Sequence, residues 1–356
     1  MAASLKAGNF KIFDAFMYGD SIDMINQNLN VLNQASQAIN VENMPFSGTT
    51  LETGYYDFVV TDGSGTGSGT GVNTAGAGLY DVRTEQSIAA KDITQDSYKA
   101  IKTYWHSGLY KHNPIAFSWT QQQAGIEGSR VAGQMADRLT QHHINALIGA
   151  AVACGTISGN KTLLDLVGNK TAGTGGQYPT EENLVRLCGL LFDQQQAINT
   201  LIMHPTAFNR YARGRLSEFK DAFNVDQAPI PGVRVLQTLT GMRIIVTKSP
   251  QLVKSETIKS ANTSTYYTIG LTDNAAYLLT QGDYRAWSDI NLNVRPVAST
   301  YCSETTFGIK LKGYSWKGST AASPGATALA TSTNWERKAT NVEDSGIVVM
   351  QNYWTS

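Results

Sequence analysis

From Gln121 to Cys154 the chain contains no proline, and its apolar residues fall on one helical face. Val131, Met135 and Leu139 recur at i+4, and Ile144, Leu147, Ile148, Ala151 and Val152 continue the pattern. That spacing predicts an amphipathic helix rather than a strand. Glycines at 125, 128, 133 and 149 weaken such a helix without ending it. A helix of about 30 residues spans about 45 Å. This is long for one globular domain, so the segment predicts a spine on which other elements pack.

The rest of the chain must supply what packs on that spine. Its 356 residues allow two or three domains, and a core large enough to need no disulfide or metal staple. Charged residues make up only 16%, below the roughly 25% of ordinary soluble domains. A surface that poor in charge fits a protein covered by neighbours. Lys+Arg and Asp+Glu are both 28. A net charge of zero argues against a nucleic-acid binder that relies on a bulk basic field, and leaves little repulsion between copies. Cys154, Cys188 and Cys302 form no CxxC pair and are odd in number, which predicts buried thiols in a reducing compartment. Met1 to Asn9 has no apolar core of signal-peptide length. No run of 18 apolar residues exists that would predict a membrane span.

Five textures follow one another. Residues 1–45 are rich in Asn and Gln with scattered apolar positions, and read as an arm that packs on something else or as a mobile terminus. Tyr55 to Val60 is strand-like, Thr61 to Gly78 holds seven glycines in 18 residues, and Leu79 to Arg83 resumes an extended pattern. This predicts a long two-stranded excursion with a flexible tip. The helical region follows a break at Pro114. Residues 178–320 then read as a mixed α/β unit. Thr180-Glu181-Glu182 opens a helix, with Leu184, Leu187, Leu191 and Ile198 on its face. Leu201-Ile202-Met203 is a short strand, Thr206 to Phe219 a second helix, and Gly241 to Val246 a strand. Tyr266–Leu271 and Ala275–Leu279 are further strands. The stretch 319–333 is rich in Ala, Ser and Thr, and Gly346 to Met350 is a last strand.

The motifs of catalysis are missing. No Gly-Lys dipeptide exists for a phosphate-binding loop, and the glycine tract fails the G-x-G-x-x-G spacing at every start. No HExxH or G-x-S-x-G occurs. His142 and His143 are adjacent, so they face different sides of a helix and read as surface or interface residues. His204, before Pro205, reads as the end of a strand. The six tryptophans do not alternate with basic residues, so no base-stacking platform is visible. No catalytic, cofactor-binding or metal-binding residue is expected. Charge is uneven instead: residues 1–100 hold five Lys/Arg against eleven Asp/Glu, and residues 201–260 hold nine against four. The two regions can attract each other between copies, or surface charge is merely uneven. Arg210, Arg213 and Arg215 form a basic cluster, read either as a contact for a neighbour's carboxylate or a phosphate, or as a solvated helix face.

Several strings carry a resemblance. They are Ile202-Met203-His204-Pro205-Thr206-Ala207-Phe208-Asn209-Arg210, the segments Val235 to Thr247 and Phe307 to Trp316, and Ser323-Pro324-Gly325 through Asn334-Trp335-Glu336-Arg337. With the order of arm, excursion, spine and mixed unit, the chain resembles the major capsid proteins of tailed bacteriophages, whose fold was first seen in phage Hong Kong 97. That resemblance implies an α+β capsid fold. Residues 1–48 would be an N-terminal arm and 49–95 an extended β-hairpin loop with its glycine-rich tip at 61–78. Residues 96–175 would be a peripheral domain with a long spine helix at about 121–154. A mixed-sheet axial domain would occupy 176–300, and return strands and a C-terminal segment 301–356.

The resemblance further implies a structural protein and not an enzyme, without cofactor. It would self-assemble into hexamers and pentamers of an icosahedral head enclosing double-stranded DNA. The implied partners are further copies of itself, scaffolding, portal and decoration proteins, and packaged DNA contacted non-specifically, with no membrane. The implied location is the virion, after assembly in the host cytoplasm. A loop lying across the next subunit makes Tyr55, Tyr56, Phe58, Arg83 and Glu85 candidate interface residues, with Arg210, Arg213 and Arg215 on the basic cluster. The founding phage joins a loop lysine to a neighbour's asparagine, but residues 46–90 contain no lysine, so that crosslink is not expected. No long N-terminal scaffolding region is seen, which calls for a separate scaffolding protein or none. Two other readings stay open: an encapsulin-like compartment shell, and a surface or tail-fibre-like structural protein.

Overall fold

The computed structural model describes residues 23–24, 27–28, 36–43, 48, 50–57, 94–112, 124–168, 177–191, 198–213, 233–237, 242–258, 261–280, 282–291, 298–319, 323–339 and 345–353. In chain order the first elements are β1 (Ile39–Asn43), β2 (Thr50–Asp57), β3 (Thr94–His106), β4 (Tyr110–His112), α1 (Ala124–Gly155) and β5 (Leu163–Asp165). They are followed by α2 (Glu181–Gly189), β6 (Thr200–Met203), α3 (Pro205–Arg213), β7 (Val233–Gln237), β8 (Arg243–Thr247), β9 (Val253–Ile258) and β10 (Ala261–Leu271). The last are β11 (Ala276–Thr280), β12 (Arg285–Asn291), β13 (Ala298–Leu311), β14 (Tyr314–Trp316), α4 (Ala326–Leu329), β15 (Trp335–Arg337) and β16 (Ile347–Asn352). The chain divides into two compact units, residues 52–98 and the remainder. The glycine tract, at 61–78, lies outside the described residues.

Two mixed sheets form the body. In the first the order is β1-β11-β13-β3-β2, with β12 and β4 pairing to the other half of β13. Only β1–β11 is parallel among the registered pairs. The 14-residue β13 is the common rail: Phe307–Leu311 pairs with β11 and Ala298–Glu304 with β12. In the second sheet the order is β5-β16-β10-β6-β8-β7, with β9 pairing to the start of β10. Here β6–β8 and β5–β16 are parallel. A minor pair, β14–β15, is antiparallel.

Helix α1 holds the two sheets together by touching β11 and β13 of one and β10 and β16 of the other. Its first part is amphipathic, with Ala132, Met135, Ala136 and Leu139 buried and Gln134 and Arg138 exposed. From Ala146 to Gly155 every residue is buried, as expected of a helix enclosed on all sides. Gly155 shows how tight that enclosure is. A Cβ added there would lie 2.2 Å from Cγ2 of Val349 on β16.

The second sheet is covered on both faces, and its residues alternate between two apolar clusters. Ile202, Ile245, Ile269, Leu271, Ile347 and Val349 face the α1 cluster. Leu201, Met203, Ile244, Val246, Val348 and Met350 face a second cluster with Leu184, Leu187 and Leu191, and with Ala207, Phe208 and Tyr211 of α3. Burial on both sides is why β6, β8 and β16 read as unbroken apolar runs.

Two expectations are corrected, and a third is described only in part. Ile198 does not extend the α2 face: the helix ends at Gly189, and Ile198 joins the same cluster from the lead into β6. Of the second helix, expected over 206–219, Pro205–Arg213 is helical and 214–219 lie outside the described residues. His143 is a core residue and not a surface one. Its ring centroid lies 4.1 Å from that of Phe307, and neither ring nitrogen has a hydrogen-bond partner. Burial, with His142 beside it, lowers its pKa to about 3. His142 is half-buried against Trp105 and Phe307.

Candidate assembly surfaces

Of the residues expected at an interface, Tyr55 and Tyr56 lie on β2, and Arg210 and Arg213 on α3. Phe58, Arg83, Glu85 and Arg215 fall outside the described residues. The structure thus brings two arginines together on one helix.

The sequence before α3 explains why that helix starts where it does. Pro205 sets φ for the first turn and needs no hydrogen bond there. The Thr206 amide donates to His204 Nδ1 at 3.2 Å, and the Phe208 amide donates to the His204 carbonyl at 2.9 Å. Burial, and the charge of Lys248, hold the His204 imidazole below its usual pKa and so keep it a neutral acceptor. Ala207, Phe208 and Tyr211 face the sheet. Thr206, Asn209 and Arg213 are exposed and Arg210 is half-buried.

Helix α2 is built the opposite way in charge. The Thr180 hydroxyl accepts from the Asn183 amide at 3.2 Å and caps it, and Glu181 and Glu182 sit in the first turn, where the dipole favours them. Leu184 and Leu187 are buried beneath it. Outward it shows Glu181, Glu182, Val185 and Arg186, with Tyr178 just before the helix; Val185 is 64% exposed and Tyr178 48%. Helix α2 contacts β16 and α3 contacts β8. The order β16-β10-β6-β8 therefore separates the two helices on one layer.

A further surface lies on the first sheet. Cross-strand register sets Trp287 opposite Cys302, and Glu304 opposite both Arg285 and His106. Trp287 and Tyr104 are each 45% exposed. The Glu304 carboxylate accepts from the Tyr104 hydroxyl, which pushes the tyrosine pKa up to about 12. His106 Nε2 lies 3.0 Å from Cys302 Sγ, while His106 Nδ1 accepts from the Gly108 amide at 3.0 Å. A neutral imidazole that accepts at Nδ1 carries its proton at Nε2 and donates to the sulfur. Burial also pushes the Cys302 thiol up. Such a thiol is not an activated nucleophile. Among the described residues no three metal-ligating side chains gather, and no helix is long and apolar enough to cross a membrane.

Sequence reading missed Tyr178, Val185 and Trp287 as surface residues. For Val185 a signal existed. It follows Leu184 directly, so it sits about 100° around the helix from the Leu184–Leu187 stripe. Trp287 carries no such signal, since only the pairing of β12 with β13 fixes which face it takes.

A family model described as Major capsid protein 13-like, or Gp13-like, matches residues 9–349. No curated protein matches the chain in sequence. Among solved structures, the capsid of Ralstonia phage GP4 aligns with a TM-score of 0.55 at 11% identity, over 90% of this chain and 89% of that one. The cyanophage Pam1 capsid asymmetric unit aligns with a TM-score of 0.51 at 9% identity, over 90% of this chain and 92% of that one. The capsid of phage GP4 and that of Pam1 thus share the fold. With the family model matching nearly its whole length, the chain belongs to the Gp13-like family of major capsid proteins and is a structural component of a bacteriophage head.

Proposed function

We propose that copies of this chain assemble into hexamers and pentamers, and that these close into an icosahedral head around double-stranded DNA. The observation that carries this is the family match over residues 9–349. In this reading α1 is the spine of a peripheral domain, and the second sheet with α2 and α3 is the axial domain. Residues 49–95 are the extended loop and lie across a neighbouring subunit, with Tyr55, Tyr56, Phe58, Arg83 and Glu85 in that contact. Arg210, Arg213 and Arg215 meet acidic groups of a neighbour. The shell performs no catalysis, contacts DNA without sequence preference, and assembles in the host cytoplasm with scaffolding, portal or decoration proteins. Low charge and zero net charge favour such close association, and ring contacts of the head-to-tail kind give closed capsomers.

Negative-stain microscopy of purified protein tests this. Rings or closed shells are expected, far above the 38.5 kDa of one chain. A clean monomer at all concentrations, with a scaffolding protein co-expressed, would overturn it.

A further inference from the structure

We infer that the α2 surface carrying Tyr178, Glu182 and Val185 docks on the α3 surface carrying Arg210 and Arg213 of a second copy of this chain. The inference rests on the reading of the protein as shell-forming and names one contact within it.

Three observations converge. First, Glu182, Val185 and Gly189 of α2 are all exposed and fall at steps of three and four residues, and Tyr178 is exposed just before the helix. On a helix that spacing is one continuous stripe. A single exposed valine means nothing, but a 64% exposed valine near a 48% exposed tyrosine and two carboxylates, with Arg186 at its edge, is a mixed apolar strip of net acidic charge. Such composition is typical of interface cores rimmed by charge. Second, Arg213 and Arg210 form the complementary strip, and neither has an ion-pair partner among the described residues. Third, the two helices share one layer over the second sheet but sit over different strands, α2 over β16 and α3 over β8.

Geometry and charge together select the arrangement. A two-fold contact that set α2 against α2, or α3 against α3, would bring like charges together, and one that set α2 against α3 twice would close at two copies and build no ring. A head-to-tail contact sets the acidic strip of one copy against the basic strip of the next. Repeated by rotation, such a heterologous contact closes into a ring. Each copy then uses both strips once, and Val185 and Tyr178 become buried at every junction.

The test uses the full chain and four variants: Glu182→Arg, Arg213→Glu, the two combined, and Val185→Asp. The assembled fraction is read by sedimentation and the fold of the subunit by circular dichroism. Each single variant is expected to lower the assembled fraction by about tenfold, since like-charge juxtaposition at an interface is strongly unfavourable. All three positions are exposed, so the subunit still folds, and its thermal unfolding shifts only by the small amount that a reversed helix-end charge costs. In the combined variant every junction has its charges exchanged, and assembly returns. Wild-type shells with unaffected single variants would overturn the contact while leaving the parent reading intact, and so would a combined variant no better than the singles. A wild-type chain that never assembles removes the parent reading and this contact with it.

Discussion

Gly155 ends α1 at a point where a side chain has no room, and its neighbours make the cost measurable. Gly155→Ala improves intrinsic helix propensity, yet its Cβ would meet Val349 at 2.2 Å. Overpacking of this kind costs about 1–3 kcal/mol, more than the roughly 1 kcal/mol of propensity gained. Gly189→Ala, with nothing within 4 Å, is the control and is expected to leave stability unchanged or raise it. Denaturant unfolding of both checks this, and an equal response would show that the β16 contact is soft. His143 sets a second residue-scale expectation. Its folded pKa is lowered to about 3 by burial and by His142, while the unfolded value is near 6.5. Its contribution is therefore complete above pH 6.5 and is lost as pH falls from there towards 3, by up to about 1.4 kcal/mol per unit. His143→Leu removes two unpartnered buried nitrogens and this proton linkage. Its stability should fall less than wild type between pH 7 and pH 4.5. Equal losses would show that other groups dominate acid sensitivity.

At the scale of elements, α1 matters most because it serves both sheets. Leu147 is buried in the α1 cluster, so Leu147→Asp places an unpaired carboxylate there. A loss of several kcal/mol is expected, and retained thermal stability would show that this part of the helix is not enclosed. The expectation for the extended loop is opposite. Deleting residues 63–78 removes glycine-rich chain with little apolar content. The body should fold as before by circular dichroism while assembly weakens. An unfolded deletion variant would place that segment in the core and remove it from the interface.

At the scale of the whole molecule, the shell proposed here is held by apolar burial, strand pairing and repeated ion pairs. One surface ion pair contributes only about 0–1 kcal/mol, but a shell repeats every contact. The loop region 46–90 has no lysine, so no covalent mesh of the lysine–asparagine kind is expected. Boiling in detergent under reducing conditions should return one band near 38.5 kDa. A ladder of multimers would refute this and direct attention to lysines such as Lys91 or Lys99.

Local patterns alone indicated α1, α2, α3 and several of the strands, but not the short α4 inside the Ala/Ser/Thr-rich stretch. The proline-free apolar periodicity indicated α1, Thr180 with two following glutamates indicated the start of α2, and the runs at 201–203 and 241–246 indicated strands, observed at 200–203 and 243–247. These signals are legible because capping and periodicity act within a few residues. What the tertiary structure decided was pairing, and with it exposure. Nothing near Ile347–Asn352 shows that this last strand lies beside β10, deep in a sheet begun more than 180 residues earlier at Leu163, or that Ala276–Thr280 leaves that sheet for the other. Nor does the sequence around His142–His143 show which imidazole is buried, since that depends on Phe307, more than 160 residues away. Of the candidate interface, the basic helix was legible from its arginines. The strip of Tyr178, Glu182 and Val185 was not, because exposure is the remainder left after every distant contact has been made.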